Sequence, residues 1–172
     1  MEDPSPVTLR AATPEDLAAM ARAKRDAGVA AWPHILPPEL IGQLPFLERW
    51  SGALTHPPAR TRVLVAEQHG AVVAFAITRP SADDDADGQV GELDAFYAAP
   101  AVWGRGVGRM LLAAAVEGLR EDGFRHAMLW TAADNHRPRR IYETAGWRLD
   151  GTVRHRHLGG IEFDELRYRL RL

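Results

Sequence analysis

The chain has 172 residues, of which 46% are hydrophobic and 26% are charged. These values are typical of one globular domain, and they exclude a wholly disordered chain, a collagen and a coiled-coil rod. The net charge is −2, from 21 basic and 23 acidic side chains, so no global positive field favours nucleic acid or an anionic membrane. We therefore expect a single domain over residues 1–172, with no nucleic-acid or membrane partner.

The absence of cysteine excludes disulfides, zinc–thiolate sites and a cysteine nucleophile. The first ten residues, MEDPSPVTLR, are acidic and contain proline. They lack the basic and apolar regions of a signal peptide. No apolar stretch approaches the ~20 residues that cross a bilayer. These features predict a cytoplasmic protein.

Changes in hydrophobic period divide the chain into short helices and strands. Alternating apolar residues predict strands, and apolar residues spaced by three or four predict helices. Thr13 followed by Pro14 predicts the start of the first helix, and Gly28 predicts its end. In chain order the predicted elements are strand 7–10, helix 14–28, helix 39–54, strands 63–66, 72–77 and 92–98, helix 106–122, strand 127–131, a helix ending at 145, and strands 147–153 and 163–170.

The resulting order β-α-α-β-β-β-α-β-α-β-β predicts an α+β domain with a mixed sheet. No internal repeat or linker interrupts it. Apolar residues alternate imperfectly in the last strand, so a bulge is one expectation there.

Two groups of side chains raise the question of a metal. The acidic run Asp83–Gly88 is interpreted as a solvated loop, since the twelfth position of a calcium loop falls on Asp94, inside a predicted strand. His155 and His157 share a strand face, as zinc ligands can, but no third ligand is near and arginines flank them. We therefore expect no metal.

The segment from Trp103 to Arg109, WGRGVGR, lies between a predicted strand and a predicted helix. Its glycines allow a ligand to approach the backbone, and the first amides of a helix form an anion site. Arg105 and Arg109 add positive charge. A purely structural turn is the alternative. A dinucleotide fingerprint would require glycine at position 109, and a mononucleotide P-loop would require Gly-Lys-Ser/Thr, which the chain lacks.

Two segments resemble motifs of the GNAT superfamily of N-acetyltransferases. The first is Glu92 to Pro100 with the following turn, which in the family reads Gln/Arg-x-x-Gly-x-Gly/Ala and here begins with Trp103. The second runs from Asn135 to Trp147, where the family often shows Asn-x-x-Ala-x-x-Phe-Tyr-x-x-x-Gly-Phe. Pro138 replaces the alanine, which the first turn of a helix tolerates.

The resemblance implies a GNAT-like sheet whose two central parallel strands splay apart around the pantetheine arm of acetyl-CoA, the expected cosubstrate. Backbone groups of Phe96 and Ala98 would pair with that arm like an added strand. Amides from Arg105 to Arg109 would bind the pyrophosphate, and Asn135 would hydrogen-bond the arm from the other side. The expected cofactor-binding residues are Phe96, Tyr97, Ala98, Trp103, Gly104, Arg105, Gly106, Val107, Gly108, Arg109 and Asn135.

Acetyl transfer to an amine requires a base for the amine, a donor for the thioester oxygen and an acid for the thiolate. By its place in the second motif, Tyr142 resembles the family's acid; packing beside Trp147 is the alternative. Glu92 lies where several family members place a glutamate base, and Asp94 shares its face of a regular strand. Charge attraction or ion pairing is the alternative for both carboxylates. The amide of Ala98 is the expected donor to the thioester oxygen.

The resemblance also locates the acceptor pocket. In this fold the acceptor pocket usually lies where this chain has Trp32, Pro33, His34, Ile35, Leu36, Phe46 and Trp50. Packing in the core is the alternative for such a stripe. We expect acetyl transfer to a primary amine, on a small molecule first and on a protein N-terminus or lysine second. A non-catalytic acyl-CoA sensor and a nucleotide-binding module are the alternatives from other classes. Family members often form dimers, so a homodimer is one expected assembly.

Overall fold

A computed structural model describes residues 6–41 and 47–172. Within them no helix is long and apolar enough to cross a bilayer. The strands are β1 (Thr8–Ala11), β2 (Arg62–Gln68), β3 (Ala71–Pro80), β4 (Val90–Ala98), β5 (His126–Ala132), β6 (Arg148–Leu158) and β7 (Ile161–Arg171). The α-helices are α1 (Leu17–Ala31), α2 (Pro38–Ile41), α3 (Leu47–Thr55), α4 (Val107–Glu121) and α5 (His136–Thr144).

The predicted element order is confirmed, with three differences in the bounds. The backbone amide of Thr13 donates to Asp16 at 2.8 Å, and the first helix opens with a 3-10 turn. It then continues past Gly28 to Ala31. The helix predicted over 39–54 is α2 and α3, with residues 42–46 outside the described part of the chain.

The seven strands form one mixed sheet in the order β1-β2-β3-β4-β5-β7-β6. Neighbouring strands are antiparallel except β4 and β5, which are parallel. The irregularity expected in the last strand lies instead in its partner β6, between Leu149 and Val153. The sheet is therefore the predicted α+β GNAT-like sheet.

The two central parallel strands diverge soon after they begin. In the described residues, β4 and β5 pair only where Val90–Glu92 face His126–Met128. On its other side β4 carries a bulge, because Leu93 faces Thr78 and Ala95 faces Ile77. Asp94 is thus the extra residue, and such an insertion bends the strand. The predicted splay is confirmed.

Helices cover both faces of the sheet, as the alternation of β3 requires. Ala74 and Ala76 join the core beneath α4, whereas Phe75 and Ile77 join the core beneath α1 and α3. Helix α4 lies so close to β4 that a Cβ at Gly91 would come within 2.5 Å of Leu119. The diverging ends of β4 and β5 therefore lie between α4 on one face of the sheet and α1 and α3 on the other.

The acidic run is only partly the solvated loop that we expected. Arg167, whose side chain is 7% exposed, pairs with Asp83 at 3.0 Å and with Asp85 at 2.7 Å. It also pairs with Asp150 at 2.7 Å. One buried guanidinium therefore ties this loop to β6 and β7. Within the described ranges no group of His, Asp or Glu side chains is arranged to hold a metal.

Candidate active site

The divergence of β4 and β5 opens a cleft of about 1010 Å³. Its walls come from both strands, the start of α4, α5, α1 and the segment after α1. Among the lining residues are the predicted Phe96, Tyr97, Ala98, Trp103, Gly104, Gly106, Gly108, Arg109, Asn135 and Tyr142. One end lies at the glycine turn and the other at α1 and α3, so the cleft joins the two regions that the sequence assigned to cofactor and acceptor.

The open edge of β4 suits an extended ligand. The amide of Ala99 donates to the Val73 carbonyl of β3 at 2.8 Å. Because backbone groups alternate in direction along a strand, the amides of Phe96 and Ala98 point the other way, into the gap towards β5. An extended chain of amides, such as pantetheine, fits this edge as an added strand.

The glycine turn supplies the start of α4. Gly106 caps the helix with φ of +85°, a left-handed conformation that glycine adopts without strain. The first hydrogen bond of the helix runs from the Met110 amide to the Gly106 carbonyl at 3.1 Å. The amides of residues 107–109 precede it and are available to an anion. The Arg105 amide differs, because it donates to Val102 at 3.4 Å.

Trp103, which departs from the family pattern, has a defined contact. Its indole Nε1 donates to the Ala98 carbonyl at 2.7 Å. The guanidinium of Arg137 lies over the Trp103 ring at 4.6 Å. Sequence reasoning missed Arg137 and also Arg140, both of which line the cleft with Arg109. The run of arginines at the start of α5 was the available signal.

The turn after β5 forms the opposite wall. Asn135 is buried, and its Nδ2 donates to Thr131 Oγ1 at 3.3 Å. His34 Nε2 lies 2.9 Å from the Asp134 carbonyl. This contact joins the segment after α1 to the turn after β5, so it links the two sides of the cleft.

Tyr142 is both packed and on the cleft wall. It is 5% exposed, and its ring centroid lies 5.8 Å from that of Phe96 and 6.3 Å from that of Trp147. Burial, with smaller contributions from Tyr97 and Tyr168, raises the pKa of Tyr142. The phenol is therefore protonated throughout the neutral range and can donate.

Glu92 and Asp94 share one arginine but differ in position. Arg79 lies 3.0 Å from a carboxylate oxygen of each. The second oxygen of Asp94 lies 3.0 Å from Arg49. Among the described residues, Asp94 lines the cleft, whereas Glu92 does not. Burial raises the pKa of Glu92, and the charge of Arg79 opposes that shift.

The acceptor end of the cleft is aromatic and contains one residue that sequence reasoning missed. Of the predicted pocket residues, Trp32, Ile35, Leu36 and Trp50 line it, whereas Phe46 lies outside the described residues. Lys24 of α1 also lines it, although it is only 4% exposed. Its Nζ lies 5.5 Å from the Trp32 ring centroid and 5.2 Å from that of Tyr97.

Burial, with a smaller contribution from the charge of Arg49, lowers the pKa of Lys24 to about 7. The signal was present in the sequence, because Lys24 is the chain's single lysine and it lies on the apolar face of the predicted helix, four residues after Met20.

Comparisons with known proteins agree with this geometry. The sequence model of the acetyltransferase (GNAT) family matches residues 17–147. No curated protein matches the sequence. The ribosomal-protein-alanine N-acetyltransferase of Brucella melitensis is 25% identical with a TM-score of 0.78, over 96% of this chain and 99% of that one.

Two further solved structures are similar. A protein assigned as a phosphinothricin N-acetyltransferase is 25% identical with a TM-score of 0.75, over 97% of this chain and 99% of that one. The protein yncA of Salmonella typhimurium, assigned as an acetyltransferase and solved with its cofactor acetyl-CoA, is 20% identical with a TM-score of 0.74, over 96% of this chain and 94% of that one.

The chain belongs to the GNAT family of acetyltransferases. It is therefore an acetyl-CoA-dependent N-acetyltransferase. Acetyl-CoA, the cosubstrate expected from the sequence, is the cofactor in the similar yncA structure.

Proposed function

We propose that this protein transfers the acetyl group of acetyl-CoA directly to a primary amine on a small molecule. The observation that carries the proposal is the continuous cleft, which reaches from the first amides of α4 to the aromatic residues Trp32 and Tyr97. The contact between His34 and Asp134 at 2.9 Å joins its two sides. A bounded cleft of this kind suits a small acceptor better than a folded protein surface.

The cofactor would lie along the cleft. The amides of residues 107–109, with Arg109, would hold the pyrophosphate at the positive end of α4. The backbone of Phe96 and Ala98 would pair with pantetheine, and Asn135 would bond it from the other wall. Tyr97, Trp103 and the glycines at 104 and 106 would shape the space around it. When bound, acetyl-CoA supplies an activated acetyl group and a thiolate leaving group.

The chain's own groups would divide the chemistry between them. The Ala98 amide would donate a hydrogen bond where the thioester oxygen gains charge. Tyr142 would give its proton to the departing sulfur. A carboxylate on β4 would take the proton of the acceptor's ammonium group, since only the neutral amine has a lone pair to attack with. Glu92 would act through a water, because it stands beside the cleft, whereas Asp94 would be within direct reach.

A panel of amines tests this proposal. Purified protein and acetyl-CoA are mixed with amino acids, simple alkylamines, polyamines and short peptides that have free N-termini. Thiol release is followed, and the acetylated product is identified by mass. We expect turnover with small amines and little with peptides. Turnover with peptides alone would identify a protein acetyltransferase, and binding of acetyl-CoA without any thiol release would identify a sensor.

A further inference from the structure

We propose that the acceptor carries an anionic group next to its amine, as an apolar or aromatic amino acid does, and that Lys24 and Arg49 bind this group. The inference rests on the proposed function and names the acceptor class of the same cleft. Lys24 comes from the middle of α1 and Arg49 from α3. Both line the acceptor end.

The charges at this end of the cleft disfavour a purely cationic acceptor. Its described lining residues include three basic and two acidic side chains: Lys24, Arg49, Arg156, Asp94 and Glu165. Both carboxylates already have guanidinium partners, one within this set and one outside it. An acceptor that brought only an ammonium group would add to the positive surplus, whereas one that also brought an anion would not.

The partners of the two carboxylates are well defined. Asp94 has Arg79 at 3.0 Å on one oxygen and Arg49 at 3.0 Å on the other. Glu165 has Arg154 at 2.6 Å. The charge of each carboxylate is therefore already balanced by guanidinium groups before an acceptor enters.

Lys24 and Arg49 bring two basic side chains to the same end of the cleft, Lys24 buried and Arg49 largely exposed. The charge of Arg49 is one of the two causes that lower the pKa of Lys24, the other being burial. Arg49 has five N–H donors, its side chain is 60% exposed, and its contact with Asp94 uses one terminal nitrogen. A carboxylate between the two cations would relieve their repulsion and accept hydrogen bonds from both.

The remaining lining residues favour an acceptor with an apolar side chain. Trp32 and Tyr97 flank the Lys24 ammonium, and Ile35 and Leu36 complete the lining nearby. Tyr97 directly precedes Ala98, whose amide faces the gap between the strands. An acceptor held by Lys24 would therefore keep its amine near the end of β4 where transfer would occur.

Matched pairs of amines test the inference. L-phenylalanine is compared with 2-phenylethylamine, and L-leucine with 3-methylbutylamine, because the members of each pair differ only in the carboxylate. We expect kcat/KM to be at least ~10-fold higher for the carboxylated member, mainly through KM, as the loss of a charge-assisted contact would cause. Arg49→Gln and Lys24→Met should each reduce this ratio towards one.

Arg25→Gln is the matched control, since Arg25 also lies on α1 but its side chain is 57% exposed and its guanidinium lies 3.5 Å from the neighbouring Asp26. It should leave the ratio unchanged. Equal or better use of the decarboxylated amines by the wild-type protein would overturn the inference and leave the proposed function standing. A ratio unchanged in both Arg49→Gln and Lys24→Met would also overturn it. No turnover across the whole amine panel would overturn both.

Discussion

The indole Nε1 of Trp103 donates a 2.7 Å hydrogen bond to the carbonyl of Ala98, the last residue of β4. This bond fixes the glycine turn to the end of the strand that lines the cleft. The family pattern has Gln or Arg at the position of Trp103, and the indole keeps an N–H donor there. The amide of the same residue, Ala98, is the expected donor to the thioester oxygen.

Trp103→Phe should weaken acetyl-CoA binding by about 5- to 10-fold, since it removes one hydrogen bond worth about 1 kcal/mol and keeps the ring beneath Arg137. Titration calorimetry measures the affinity, and the melting temperature shows whether the fold is intact. An unchanged affinity in a folded variant would mean that the Ala98 bond has no part in forming the cofactor site.

Tyr142→Phe should lower turnover by ~10²-fold or more, the usual scale for losing a general acid. Acetyl-CoA affinity should change little, because phenylalanine preserves the ring contacts with Phe96 and Trp147. Steady-state thiol release and a binding titration on the same preparation separate the two effects. Wild-type turnover in this variant would reduce Tyr142 to a packing residue.

Glu92→Gln should keep acetyl-CoA binding but lower the rate. A base must be ionised to act, and burial raises the pKa of Glu92. Activity of the wild-type protein should therefore fall as the pH drops through that raised pKa. In the variant this acidic limb should move or disappear, and alkaline buffer should partly restore the rate by deprotonating the free amine.

Asp94→Asn is the matched control for Glu92→Gln, because Arg79 contacts both carboxylates and Asp94 lies on the cleft wall. If this variant alone shows the alkaline rescue, then Asp94 is the base. If neither profile changes, both carboxylates serve only in ion pairs.

Lys24→Met should change how stability depends on pH. The unfolded chain holds the Lys24 proton up to its ordinary pKa of 10.5, whereas the folded protein holds it only below about 7. The unfolded state thus binds more protons in this window, so wild-type stability should rise with pH between about 7 and 10.5 relative to the variant, by at least ~1 kcal/mol. Denaturant unfolding at pH 7 and pH 10 measures the difference. If the unfolding free energies of the wild-type protein and the variant change equally with pH, Lys24 is well hydrated in the folded protein.

Local patterns were sufficient to predict the order of the elements and the mixed sheet. The spacing of apolar residues changes wherever a strand is followed by a helix, and Thr13 and Gly106 mark element boundaries. The splay of β4 and β5 followed from the resemblance of the two motifs to the family. These features depend on residues close together in sequence.

Features that depend on distant partners were not predictable in this way. The bulge at Asp94 arises from the register between β3 and β4, and it separates Asp94 from the position that a regular strand would give it. Arg167 reaches Asp83 and Asp85 across more than 80 positions of sequence. The burial of Lys24 depends on the aromatic side chains of Trp32 and Tyr97, which no local pattern brings together.

The most direct test of the account is acetyl-CoA binding by the wild-type protein and by Gly108→Val. A Cβ at Gly108 would lie 3.6 Å from Ile141 and 3.7 Å from Phe96, so the methyl groups of valine would enter the cleft at the expected pyrophosphate site. Gly52→Val, on α3 with nothing within 4 Å of its Cβ, is the control. At a hundredfold excess over Kd, acetyl-CoA should stabilise the wild-type protein and the control by ~2.7 kcal/mol and Gly108→Val hardly at all. No stabilisation of the wild-type protein by millimolar acetyl-CoA, or equal stabilisation of Gly108→Val, would contradict the assignment of this cleft as the cofactor site.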